Sequence, residues 1–130
     1  VTVEELRGIF YDERDAFAEA IPRAARARLH IRKRPAGAAP RDFAYCDTWS
    51  NGDIDVTLFE EMCRLPLLCV LGVIRHELGH VCDPIEDSEC DGEARADEIA
   101  ELVTGTPIRY TAAGVQTIGR GGERPSWILC

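Results

Sequence analysis

Apolar side chains recur near the start of the chain at Leu6, Ile9, Phe10, Phe17 and Ile21, the spacing of one helix face, and the run stops at Pro22. Thr2 and Glu5 stand three apart ahead of it, the capping-box arrangement in which each residue satisfies the other's backbone donor. The pattern predicts an amphipathic opening helix. Over residues 29–34 apolar and basic positions alternate until Pro35, which predicts a short strand, and a Gly/Ala/Pro loop follows to Pro40. Residues 43–49 are rich in aromatics, Ser50, Asn51, Gly52 and Asp53 supply turn chemistry, and Ile54, Val56 and Leu58 alternate with polar positions. That is a hairpin. From Pro66 the pattern becomes almost continuously apolar through Leu67, Leu68, Val70, Leu71, Val73 and Ile74 to Leu78 and Val81, ending at Asp83 and Pro84. The run is too long for a strand and predicts a buried central helix. Ser88 and Asp91 suit the start of another helix, acids crowd its first turn as the helix dipole prefers, and Ile99, Leu102 and Val103 offer an apolar face before Gly105. Beyond Thr106 come Gly114, Gly119, Gly121 and Gly122 with scattered apolar residues, which predicts a tail loosely structured or pinned onto the rest. The expected fold class is α+β: an N-terminal helix, a short mixed or antiparallel sheet, and two further helices in one domain over 1–130, with 106–130 as its C-terminal tail.

Composition narrows the function. With 130 residues the chain accommodates one domain. Its net charge of −8 repels phosphate backbones, so no nucleic-acid partner is expected. Basic residues do gather at Arg23, Arg26, Arg28, Arg32, Lys33, Arg34 and Arg41, where a solvated face is expected ahead of a surface for an acidic partner. The longest apolar run, 65–74, falls short of the ~18 residues of a membrane span, so no membrane association is expected. Cys46, Cys63, Cys69, Cys82, Cys90 and Cys130 form no Cys-x-x-Cys unit, which argues against a zinc ribbon. Cys63 and Cys69 read as small buried hydrophobes. No signal peptide is visible at Val1, and a cytoplasmic setting is expected over a secreted one.

The chemistry lies inside the apolar helix, at His76-Glu77-Leu78-Gly79-His80. Residues four apart on a helix stand one above the other, so two imidazoles can converge on one metal ion. Glu77 projects beside them, placed to take a proton from a water at the metal. At this composition chance yields the pattern in about 0.7% of chains, which leaves coincidence a weak rival. Histidines serving only as buried hydrogen-bonding groups would need partners for three ionisable residues, at a cost of several kcal/mol for each left unpaired.

A hydrolytic zinc site needs a third protein ligand and an open fourth position. Asp83 sits two turns from His76, too far along the axis to share the ion. Glu86 lies at the interval after His80 used by enzymes whose third ligand sits on a tight turn, though that turn normally has Gly where this chain has Asp83. Glu93 is better placed: the segment between Asp83 and Asp91 can span more than the 8–10 Å between packed helices, so that Glu93 opens the returning helix facing the histidines. Asp97, one turn later, is placed to accept a hydrogen bond from a ligand histidine's Nδ1. Glu86, Glu89 and Asp97 itself remain alternatives for the third ligand.

These residues resemble the gluzincins, the zinc peptidases in which H-E-x-x-H on one helix is followed by E-x-x-x-D on the next, here Glu93-Ala94-Arg95-Ala96-Asp97. The compact size and the Glu93, Ala96, Asp97, Ala100 pattern also resemble the minigluzincins and the ImmA/IrrE family of small metallopeptidases. The resemblance covers about residues 54–103. It implies a small zincin-like domain with Zn2+ held by His76, His80 and Glu93, Glu77 as general base and Asp97 behind a ligand.

The leading expectation is therefore a zinc-dependent metallopeptidase, an endopeptidase acting on a peptide or protein substrate that pairs with the strand at 54–58. Hydrolysis of a non-peptide amide would use the same groups. A non-catalytic zinc-stabilised interaction module is the alternative, and the fourth position separates them, open to water in an enzyme and closed by protein in a structural site. The apolar end, Trp127-Ile128-Leu129-Cys130, is expected to dock on the back of the sheet or to stay disordered; the alternative is that the tail lies along the cleft with Cys130 or the terminal carboxylate on the zinc, in which case truncation after Ile118 raises activity at unchanged zinc content.

Overall fold

The computed structural model describes residues 1–85 and 90–128, with positions 90 and 91 in backbone alone. Glu86, Ser88, Glu89 and Cys130 therefore lie outside the described residues.

The first helix, α1, spans Val3–Ala20. Thr2 Oγ1 accepts from the Glu5 N–H at 3.1 Å and Glu5 Oε1 accepts from the Thr2 N–H at 2.9 Å, so the capping box forms. Leu6, Phe10 and Phe17 turn inward and are fully buried. Each such side chain contributes about 1.5–3 kcal/mol by leaving water. Pro22 begins one 3-10 turn, Pro22–Arg26, and the strand β1 follows at Ala27–Arg32. The strand ends two residues before Arg34 because its partner ends opposite Arg32; the Arg34 N–H goes instead to the Glu61 carboxylate, at 3.0 and 3.2 Å.

The hairpin forms as β2, Ala44–Thr48, and β3, Ile54–Phe59. Its return strand inserts beside β1, giving the order β1-β3-β2, parallel to β1 and antiparallel to β2. The sheet is mixed, with β3 at its centre. Five of the six β3 residues are buried accordingly, with only Asp55 partly exposed. This corrects the expectation for residues 54–58: a strand paired on both sides has no edge to offer a substrate, and the free edge beside the helices belongs to β2. On the outer face, Arg28 Nε and His30 Nε2 each lie 3.0 Å from Asp55 Oδ1, so the basic alternation of β1 is partly neutralised by the next strand.

The apolar run forms α2, Leu67–Cys82, which closes the inner face of the sheet and packs on α1. Arg75 NH2 lies 3.0 Å from Glu13 Oε1, joining the two helices. Helix α3, Cys90–Thr104, returns along α2. Gly79 makes that approach possible: a Cβ there would sit 2.1 Å from the Ala96 carbonyl oxygen. The buried face of α3 is accordingly built from Ala96 and Ala100, while Leu102, expected on that face, is 84% exposed. Small residues replace large ones because the backbones nearly touch.

The tail is pinned rather than loose. Strands β4, Arg109–Tyr110, and β5, Gln116–Thr117, pair antiparallel, and the Ile118 N–H donates to Leu68 O at 3.2 Å on α2. Gly72 leaves room for this: a Cβ on it would meet the Thr117 backbone nitrogen at 2.5 Å. A short turn, Ser126–Ile128, ends the described chain with Trp127 and Ile128 against Gly114. The described residues thus form a mixed α/β structure of three α-helices, a three-stranded sheet and a two-stranded one. No helix among the described residues is long and apolar enough to cross a membrane.

Candidate metal centre

The i and i+4 histidines of α2 place their rings 4.7 Å apart, edge to face, with His76 1% exposed and His80 open on one side. Across the narrow interface allowed by Gly79, the Glu93 side chain of α3 reaches both. Glu93 Oε2 lies 2.8 Å from His76 Nε2, Glu93 Oε1 lies 3.0 Å from His80 Nε2, and the two Nε2 atoms are 3.1 Å apart. Among the described residues this is the group of histidine, cysteine and acidic side chains whose donor atoms converge closely enough to hold a metal ion. The donor set fits zinc in type, since two imidazole nitrogens and one carboxylate oxygen are the ligands of many catalytic zinc sites. It fits in size as well. A tetrahedral zinc with bonds of about 2.0–2.1 Å sets its ligand atoms about 3.3 Å apart, so the three donors need open only slightly.

Behind His76 stands Asp97, whose Oδ1 is 2.6 Å from the His76 Nδ1. A carboxylate on Nδ1 fixes the ring's rotation and leaves Nε2 aimed at the ion position. Burial pulls the His76 pKa down, but the hydrogen bonds to Asp97 and Glu93 outweigh it and push the imidazole up to about 10. A cation bound by Nε2 takes the place of that proton. For Glu93 burial works against the charge, yet the two histidines hold its carboxyl well below the usual range. Asp97 behaves the same way, burial being overcome by His76 first and by Arg124 and Tyr110 after it.

Glu77 points to the other side, into a cleft of about 590 Å³ that it shares with His76, His80, Val73 and Cys46. It is 7% exposed, and burial raises its pKa against the lowering influence of the two histidines. A carboxylate so placed is a stronger base than one in water. Cys46, on the inner face of β2, is also pushed up, to about 12, by burial and then by the charge of Glu77, so it faces the cleft as a neutral thiol.

The geometry thus brings together His76, His80, Glu93, Asp97 and Glu77; Asp83 lines the same cleft but is not among the donors that converge. Asp83 is 5% exposed and engaged by Arg95 Nε at 2.9 Å. Three residues at the site went unmarked in the sequence. Tyr110 and Arg124 both donate to Asp97 Oδ2, the tyrosine at 2.8 Å, and Cys46 lies across the cleft. No spacing signals them; the only clue is that a buried aspartate needs donors for both oxygens. No family model matches the chain, no curated protein matches it, and no solved structure matches it.

Proposed function

We propose that the protein is a zinc-dependent metallopeptidase with a zincin-like domain of the gluzincin kind. The observation that carries the reading is the convergence of His76, His80 and Glu93 on one point at the wall of a cleft, with Glu77 beside it. Bound there, zinc supplies Lewis acidity, polarising a carbonyl and making a water more acidic. Glu77 takes the water's proton and passes it to the departing amine nitrogen, a task for which its raised basicity suits it. His76 and His80 orient the site, and Asp97 holds His76 in the tautomer with Nε2 free. An extended peptide is bound along the free edge of β2, whose Ala44, Tyr45, Cys46 and Thr48 line the cleft, by backbone hydrogen bonds that add a strand to the sheet. A purely structural zinc would have its fourth side closed by protein. Here three donors converge among the described residues and a cleft adjoins them, which favours catalysis.

Metal analysis of the purified protein is expected to find about one zinc per chain, with His76→Ala and His80→Ala each losing most of it. Glu77→Gln is expected to keep metal and fold while losing hydrolysis of a mixed peptide library, since an amide cannot accept the proton. Full zinc content in both histidine variants, or an active Glu77→Gln protein, overturns the reading.

A further inference from the structure

The region beyond Thr106 reaches back to the metal centre from behind. Asp97 is 9% exposed and uses both carboxylate oxygens: Oδ1 faces His76 Nδ1, and Oδ2 accepts from the Tyr110 hydroxyl at 2.8 Å and from the Arg124 guanidinium. Arg124 also donates through NH2 to the Glu93 backbone carbonyl at 3.3 Å and through Nε to the Tyr110 hydroxyl at 3.3 Å. Its guanidinium carbon lies 5.5 Å from the centre of the Tyr110 ring. One arginine therefore holds the backbone of the third ligand, the side chain of the aspartate behind the first ligand, and the tyrosine that shares that aspartate.

We propose that Arg124 and Tyr110 are positioning residues for the metal centre, acting on His76 through Asp97; the proposal rests on the zinc reading above. A carboxylate held by one oxygen alone can rotate about its last bond, and His76 would rotate with it. Donors on the second oxygen remove that freedom before the ion arrives. The planar guanidinium suits the task because it can serve Asp97 Oδ2, the tyrosine oxygen and a carbonyl at once. Tyr110 is 3% exposed, carried by β4, and β4 is held in turn by paired backbone hydrogen bonds between Tyr110 and Gly122, at 2.9 and 3.0 Å. Strand β4, and the segment bridged to it at Gly122, thereby serve to deliver two donors to a carboxylate on another element.

The test is zinc affinity, measured by competition with a chromogenic chelator, in the full chain. Loss of a partner behind a metal ligand typically weakens binding by about 10–100-fold, which is the expectation for Asp97→Asn. Arg124→Gln, one step further out, is expected to cost roughly 3–10-fold, Tyr110→Phe a similar or smaller amount, and Arg124→Lys to recover part of the loss. A merely structural arginine would weaken binding independently of Asp97. The proposal instead requires that Arg124→Gln cost little more once Asp97 is already Asn, the non-additivity of residues acting through one another. Thermal melts in excess chelator report any loss of fold, and the visible spectrum of the cobalt-loaded protein reports whether the ligand set is retained. Unchanged affinity in Arg124→Gln, or a penalty equal in both backgrounds, overturns the proposal while leaving the zinc reading intact; absence of zinc binding by the wild-type protein overturns that reading itself.

Discussion

At the scale of single residues, what could be read ahead was what the helix repeat alone decides. His76 and His80 share a face because they stand four apart, and Glu77 must project beside them. Glu93 needed a further step, the reach of a loop across one interhelical distance. Tyr110 and Arg124 were not legible, because their contact with Asp97 spans 13 and 27 positions and depends on two strands of two residues each. The basic alternation of β1 shows the same limit from the opposite side: it read as a solvated face, while Asp55 on β3 gathers His30 and Arg28 and also accepts from Trp49 Nε1 at 2.7 Å. These donors, His30 foremost, hold the Asp55 carboxyl at about 2. An unfolded aspartate titrates near 3.9, so the unfolded chain takes up this proton first and the folded state loses the contribution as pH falls from about 4 towards 2. Asp55→Asn is expected to lower the urea midpoint at neutral pH, and the gap between variant and wild type to close on acidification through that window. A gap that stays constant down to pH ~2.5 would show that the charge of Asp55 contributes nothing to folding.

Helices were more legible than strands at the scale of elements. The capping box, the long apolar run and Gly105 mark helix ends within a residue or two, because caps and breakers are local chemistry. The α3 face was misjudged because its packing partner was unknown: against a glycine the best interior residues are alanines, and Leu102 is left in water. The crossing at Gly79 fixes how near Glu93 and Asp97 come to the histidines, since both lie within a turn of Ala96. Gly79→Ala raises intrinsic helix propensity by about 1 kcal/mol, but its methyl would lie 2.1 Å from the Ala96 oxygen, and overpacking of this kind costs about 1–3 kcal/mol. The variant is expected to melt lower and to bind zinc more weakly, although Gly79 itself has no side chain to offer a metal. Gly8→Ala is the matched control. It sits on the exposed face of α1 with open space around it, so the same propensity acts unopposed and the melting temperature should rise with zinc affinity unchanged. Equal effects from the two substitutions would mean that the α2–α3 approach is not the constraint.

For the molecule as a whole, the C-terminal region decides between two roles that a single truncation confounds. Its last described turn stands at the cleft: Ile128 lines the wall, Trp127 packs on Gly114, and the guanidinium of Arg41, from the loop leading into β2, sits 4.5 Å from the centre of one Trp127 ring. The same region supplies Arg124, which bonds to Asp97 and to the Glu93 carbonyl, and Gly122, which pairs with Tyr110. Cutting after Ile118 removes both, so the outcome attached to a tail along the cleft, activity raised at unchanged zinc content, no longer follows. A chain ending at Pro125 separates them, because it keeps Arg124 and takes away Trp127 and Ile128. That chain is expected to bind zinc as tightly as the full protein and to cleave a generic peptide at least as fast, its cleft being wider at one rim. The chain ending at Ile118 is expected to bind zinc more weakly, by at least the roughly 3–10-fold assigned to Arg124 alone. Chelator competition and peptide turnover at saturating zinc, run on the same three proteins, check both statements. Equal zinc affinity in all three would reduce the region beyond β5 to a cover for α2, and slower turnover in the Pro125 chain would make Trp127 and Ile128 part of the substrate's seat.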